Sequence, residues 1–153
     1  MLAAAPPHLR SMIITALDTG TRRGEMLALR FVDVDFARGL IVLRGETTKS
    51  KKTRLVPIST QRLRAVLQWL RLDAEGNQKP EEMLVFSNEI GEPLPHLHDA
   101  WLRTVLRAHG IKPRWAAGLK YKGLSRESKD AFRLILLGRE LRARNAGHFQ
   151  IHR

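Results

Sequence analysis

The residues of this chain whose types and spacing suit chemistry on a phosphate lie in two short stretches. The first is DTGTRRGEMLAL, Asp18 to Leu29, which reads as a turn that opens a helix. That reading puts Arg22 and Arg23 in the first helical turn, with Glu25 one turn beyond Arg22 on the same face. Helix N-termini carry partial positive charge and favour acids, so two arginines there call for a reason. They are either solvated surface groups that cost about a few tenths of a kcal/mol, or a guanidinium fork that cradles a phosphate beside free helix N–H groups. Glu25 either orients the Arg22 guanidinium from behind or makes a routine helical ion pair worth little.

The second stretch is TTKSKK, between LIVLRGE (Leu40 to Glu46) and TRLVPIS (Thr53 to Ser59). The flanking segments are rich in β-branched and aliphatic residues and predict a β-hairpin with a charged tip. Arg44, Lys49, Lys51, Lys52 and Arg54 cluster on or near that tip. Like charges this dense repel unless a polyanion lies across them, and a hairpin tip can set an ammonium beside a DNA phosphate. Taken one at a time, the lysines also read as a solvated basic loop.

Composition favours the polyanion. The 153 residues carry a formal net charge of +12, which points to nucleic acid over an ordinary basic protein. At 43% hydrophobic the chain is no disordered tail and is long enough for one domain with a core. With no cysteine, disulfide and thiolate chemistry are excluded, and a reducing compartment is compatible. MLAAAPPH has no basic leader region and MIITAL is too short to span a bilayer, so a cytoplasmic protein is expected.

The elements that must position these groups follow from periodicity. Leu9, Met12, Ile13, Ala16 and Leu17 predict a helix over His8 to Leu17, broken at Thr19-Gly20. A second helix is expected from Arg22 to Leu29, and FVDVDFARG reads as a loop with room for a short strand. After the hairpin, Thr60 is placed to cap a helix whose stripe is Leu63, Val66, Leu67 and Leu70. DAEGNQKPEE and NEIGEPLP read as loops around a short buried MLVFS. Leu97, Trp101 and Val105 mark a helix that Gly110 ends, and His109 beside it reads as structural. KPRWAAGLKYKGLS shows no period; Ser125 is placed to cap a last helix with Phe132, Ile135 and Leu136 on its apolar side. The fold class is mainly α with a small antiparallel β-sheet, α+β.

TGTRRGEMLALRFVDVDF, TTKSKKTRLVPIS, LVFSNEIGEPLP and AWLRTVLRAHGIKP, in this order and spacing, resemble the tyrosine recombinase (phage integrase) family. The resemblance runs from about His8 to Pro113 and covers the first two-thirds of that family's catalytic domain. It implies breakage and rejoining of DNA strands through a 3′-phosphotyrosyl link, with no metal, nucleotide or other small-molecule cofactor. Two arginines clamp the charge that gathers on the phosphate, a hairpin lysine protonates the leaving oxygen and a tyrosine attacks. By resemblance Arg22 is the first clamp arginine, Lys49 the hairpin lysine and Glu25 the supporting glutamate. Arg44, Lys51, Lys52 and Arg54 are then DNA-backbone contacts; Arg23 takes no role from the resemblance and reads as a DNA-backbone contact or a solvated residue. The implied partners are double-stranded DNA and other recombinase subunits, with no membrane.

The resemblance stops short of a full site. The family's second box, His-x-x-Arg, has no match: HLHDAWLRT has the wrong spacing and precedes the place where the box belongs. The sole tyrosine, Tyr121, also lies upstream of that place, so no nucleophile is assigned. PRWAAGLKYKGLSRESKDAFRLI resembles an insert that precedes the box in some members, after which the chain reads LLGRELRARNAGHFQIHR. The expectation is a frameshift or truncation near Ile135, giving a partial catalytic domain over 1–135 and a divergent basic tail over 136–153, with the family's N-terminal DNA-grasping domain also missing. Four functions compete: a recombinase completed by another chain, a non-catalytic DNA-binding remnant, a pseudogene product, and a small basic RNA-binding protein. The last explains the charge but not the arrangement of Arg22, Glu25 and Lys49, and aromatics at 6% offer no stacking platform.

Overall fold

A computed structural model describes residues 2–47, 51–88, 90–94, 97–114 and 124–148. The chain divides into two units, residues 7–95 and residues 1–6 with 96–153.

In the first unit, α1 (Pro7–Thr19) starts on a proline, whose fixed φ suits a first helical turn and whose missing N–H costs nothing there. Leu9 and Met12 face inward. Ser11 and Thr15, also buried, donate their hydroxyls to the carbonyls of Pro7 (3.1 Å) and Ser11 (3.0 Å), so no polar atom is stranded among apolar ones. Gly20, at φ +63°, closes the helix in the left-handed region and donates its N–H to Ala16. The short α2 (Arg23–Ala28) follows, and a 3-10 turn over Phe31–Asp33 leads into the sheet.

The sheet has order β1-β2-β3, with β1 (Val34–Asp35), β2 (Leu40–Leu43) and β3 (Arg54–Pro57) antiparallel. Its strands are shorter than the predicted runs because Gly45–Thr47 turns into a 3-10 helix. Register sets the inward face. Ile41 pairs with Val56 and Leu43 with Arg54. Directly opposite residues share a face, so Arg54 lies on the side of the buried Ile41, Leu43 and Val56, while Leu55 points out and is 57% exposed. α3 (Gln61–Leu70) is capped as predicted: the Thr60 hydroxyl accepts the Leu63 N–H at 3.1 Å. Leu63 and Leu67 from its stripe are fully buried. The segment MLVFS runs beside the start of the sheet region, with Val85 donating its N–H to Leu29 and Phe31 to Met83, and Val85 and Phe86 are buried.

In the second unit, α4 (Leu97–Ala108) buries Leu97, Ala100, Leu102, Val105 and Leu106, and Trp101 sits half-buried at the edge of that face. Gly110 ends it at φ +73°. The turn Leu2–Ala4 and α5 both pack on α4. α5 (Arg126–His148) starts at the predicted cap, with Ser125 Oγ accepting the Ser128 N–H at 3.3 Å. It runs without a break across Ile135 and Leu136, where the sequence reading set its boundary. RELRAR is made of strong helix formers, and propensity carries a helix on where amphipathic patterning ends. Among the described residues no helix is long and apolar enough to cross a membrane.

Candidate phosphate-binding site

Arg22 is not inside the helix, as the sequence reading had it, but is the residue before it, with extended backbone at φ −74° and ψ 153°. The acid that a helix start favours is present, and it is Glu25. Its Oε2 accepts the Arg22 backbone N–H at 2.9 Å and so closes the first turn from within. The Glu25 side chain is 2% exposed, whereas that of Arg22 is 65% exposed. The chain thus mounts the Arg22 backbone on a buried carboxylate and leaves the guanidinium facing solvent.

The same oxygen takes a second partner. Arg54 Nη2 donates to Glu25 Oε2 at 2.8 Å, and Arg22 Nη1 stands 3.6 Å from Oε1. Burial by itself would raise the Glu25 carboxyl; the Arg22 N–H, the Arg54 hydrogen bond and the two guanidinium charges outweigh it and hold the group below its ordinary value. Glu25 is therefore ionised. Its Oε1 is buried without a hydrogen bond and faces the Arg22 guanidinium at 3.6 Å. Arg54 can reach Glu25 because strand alternation turns it inward with Val56.

Around the hairpin base the same design recurs. Arg44 Nε donates to Asp33 Oδ1 at 2.7 Å; Asp33 is 7% exposed and Arg44 52%. That hydrogen bond and the Asp33 charge raise the Arg44 pKa further above its already high value. The Gly45–Thr47 turn packs against α2, which brings the hairpin base to the segment that carries Arg22. Gly45 is required there: a Cβ would stand 2.7 Å from the Lys51 carbonyl oxygen. Its N–H donates to Thr53 Oγ1 at 3.0 Å, and Lys51 turns the chain at φ +53°. Arg44, Gly45, Glu46, Lys51 and Thr53 line one hollow.

The structure thus joins Arg22, Glu25 and Arg54 through hydrogen bonds and gathers Arg44 and Lys51 at one hollow. Arg23 and Lys52 are exposed nearby in sequence. Lys49, the resemblance's general acid, lies outside the described residues, as does Tyr121. His109 bonds through Nδ1 to the Val105 carbonyl at 2.9 Å, a helix-end contact in keeping with a structural role. Two supporting carboxylates escaped the sequence reading. One is Asp33. The other is Asp18, 3% exposed, which accepts from Arg62 Nε at 2.8 Å and from the Thr60 hydroxyl. The Arg62 hydrogen bond is the largest cause that lowers its pKa to about 2. In FVDVDF, Asp33 reads as a surface acid alternating with valines. Nothing local marks Asp18, whose partners come from the start of a distant helix. Exposed guanidinium groups held from behind by buried carboxylates can gather negative charge on phosphate oxygens.

Two curated relatives and one family profile match the chain. The tyrosine recombinase XerC of Actinobacillus pleuropneumoniae serotype 7 (strain AP76) is 36% identical over 94 residues, 60% of this chain and 29% of the relative. The tyrosine recombinase XerC of Xanthomonas axonopodis pv. citri (strain 306) is 34% identical over 62 residues, 40% of this chain and 19% of the relative. The chain thus matches less than a third of the length of these curated relatives. No solved structure matches the chain significantly. The phage integrase family profile matches residues 2–120, a span that holds α1, the buried Glu25 with its two arginines, the hairpin and α4, and the chain belongs to that family.

Proposed function

We propose that this chain binds the phosphate backbone of double-stranded DNA through Arg22, Arg23 and the basic hairpin, forming the first half of a recombinase's phosphate clamp. The observation that carries this reading is the Glu25 hub. A fully buried, ionised carboxylate fixes the backbone of Arg22 and leaves its guanidinium 65% exposed. The same carboxylate bonds Arg54 of the hairpin, so the exposed Arg22 side chain starts beside the hairpin's basic residues. Arg44 on its own buried acid, with Lys51 and Lys52, extends the positive surface toward neighbouring phosphates. In a complete site, Lys49 protonates the leaving 5′-oxygen.

The chain by itself does not break a strand. The second clamp arginine, the histidine of that box and a nucleophilic tyrosine have no assigned counterpart in its sequence, and each lost charge-stabilising group costs on the order of 100-fold in rate. Cleavage then requires those groups in addition. The reading places the protein with DNA in a bacterial cytoplasm, in line with the bacterial origin of the two XerC relatives. A suicide DNA substrate tests the catalytic part: no covalent adduct is expected, and a phosphotyrosyl adduct at Tyr121 would overturn it. Duplex DNA titrated at rising salt tests the binding part, which fails if affinity is absent or independent of salt.

A further inference from the structure

We infer that Arg54 is a positioning residue, which acts through Glu25 to hold the lysine hairpin in fixed register with Arg22, and is not a phosphate contact of its own. The inference rests on the reading of this site as a DNA-phosphate clamp and names a part of it.

Three observations carry it. The Arg54 Nη2 donor and the Arg22 backbone N–H meet at one oxygen, Glu25 Oε2, at 2.8 and 2.9 Å. Arg54 opens β3 and pairs with Leu43, so it stands at the base of the hairpin whose connection carries Lys49, Lys51 and Lys52. Its side chain leaves the sheet on the core side, with Ile41 and Val56, toward α2. Its side chain is 43% exposed against 65% for Arg22, and its Nη2 is turned to the buried Glu25. The ionised Glu25 therefore ties together two chain segments that meet nowhere near each other in sequence. If that tie breaks, the lysines can shift against Arg22, and both then meet a phosphate only by paying for the lost alignment.

The test compares the full chain with Glu25→Gln, Arg54→Lys and the double variant, in two measurements. The first is affinity for a random-sequence duplex between low and moderate salt. Glu25→Gln makes the protein one charge more positive, so simple attraction predicts tighter binding. Positioning predicts the reverse: binding weaker by about tenfold, with the salt slope reduced by about 0.9, one phosphate contact. Arg54→Lys keeps the charge but loses the planar donor geometry. It weakens binding in the wild-type background and changes it by less than about twofold in the Glu25→Gln background, since coupled residues are non-additive. Equal losses in both backgrounds, or tighter binding by Glu25→Gln, overturn the inference.

The second measurement is amide hydrogen exchange without DNA. Faster exchange at Arg22 in both single variants, with Ile41 and Leu67 unchanged, is the expected result. Unchanged exchange at Arg22 overturns the inference, and so does loss of protection at Ile41 and Leu67 as well, which would make Arg54 a support of the whole fold. If the wild-type chain binds no DNA, the clamp reading fails, and the exchange experiment still decides whether Arg54 positions Arg22.

Discussion

Replacing Arg22 by alanine tests the clamp most directly, because the side chain that is lost is the exposed one and its backbone mount remains. Six cations are proposed to meet phosphates: Arg22, Arg23, Arg44, Lys49, Lys51 and Lys52. Each neutralised phosphate on duplex DNA adds about 0.9 to the slope of log affinity against log salt, so the wild-type slope should be about −5.4. Between 50 and 200 mM salt that slope lowers affinity by about 2,000-fold. Without Arg22 the slope falls to about −4.5, and the same change of salt costs about 500-fold. At fixed low salt, one charge-assisted hydrogen bond of about 1.5–3 kcal/mol is lost, which weakens binding by about 10- to 100-fold. The loss should be the same for unrelated DNA sequences, because phosphates carry no sequence information. Fluorescence anisotropy on labelled duplexes at four salt concentrations measures both quantities. A slope unchanged by Arg22→Ala, at unchanged thermal stability, would refute the assignment of Arg22 to a phosphate.

Other variants probe what supports the site. Leu67→Ala removes a fully buried side chain from α3 and should destabilise the fold by about 2–5 kcal/mol, read by urea unfolding. Gly45→Ala sets a Cβ against the Lys51 carbonyl and should lower stability by about 1–3 kcal/mol, with weaker DNA binding in the same protein. Asp18 has its pKa lowered from 3.8 to about 2, so its contribution is present above pH 4 and is lost as pH falls toward 2. Asp18→Asn should be less stable than wild type at pH 6 and should lose less on acidification, and parallel acid titrations would count against the Arg62 pair. Glu25 is also held below its ordinary value, so DNA affinity should be flat from neutral pH down to the usual carboxylate range and fall only below it. An inflection near pH 6 would mean that Glu25 is not ionised in the way its partners imply.

Much of the fold was legible in the sequence. The stripe of α3, the Thr60 cap, the hairpin and the glycine stops at Gly20 and Gly110 all follow from local chemistry, and all stand where that chemistry put them. The illegible parts depend on partners far away in the chain. The motif shows that Arg22 and Glu25 belong together, but not that Arg54 shares their oxygen; register across β2 and β3 decides which of Arg54 and Leu55 faces the core. Asp18 and Asp33 look like surface acids until tertiary structure covers them. Past Ile135 the helix continues through residues of high helix propensity, which amphipathic rhythm does not mark.

The attachment of Arg22 has a practical consequence. Glu25 grips a main-chain N–H that every residue except proline possesses, so that bond survives a change of side chain at position 22, whereas the guanidinium's charge beside Oε1 does not. Position 22 can then be refitted with lysine, citrulline or a longer arginine homologue without remaking the protein around it. Few sites allow the reach, charge and hydrogen-bonding fork of a phosphate-binding group to be varied independently on an unchanged scaffold.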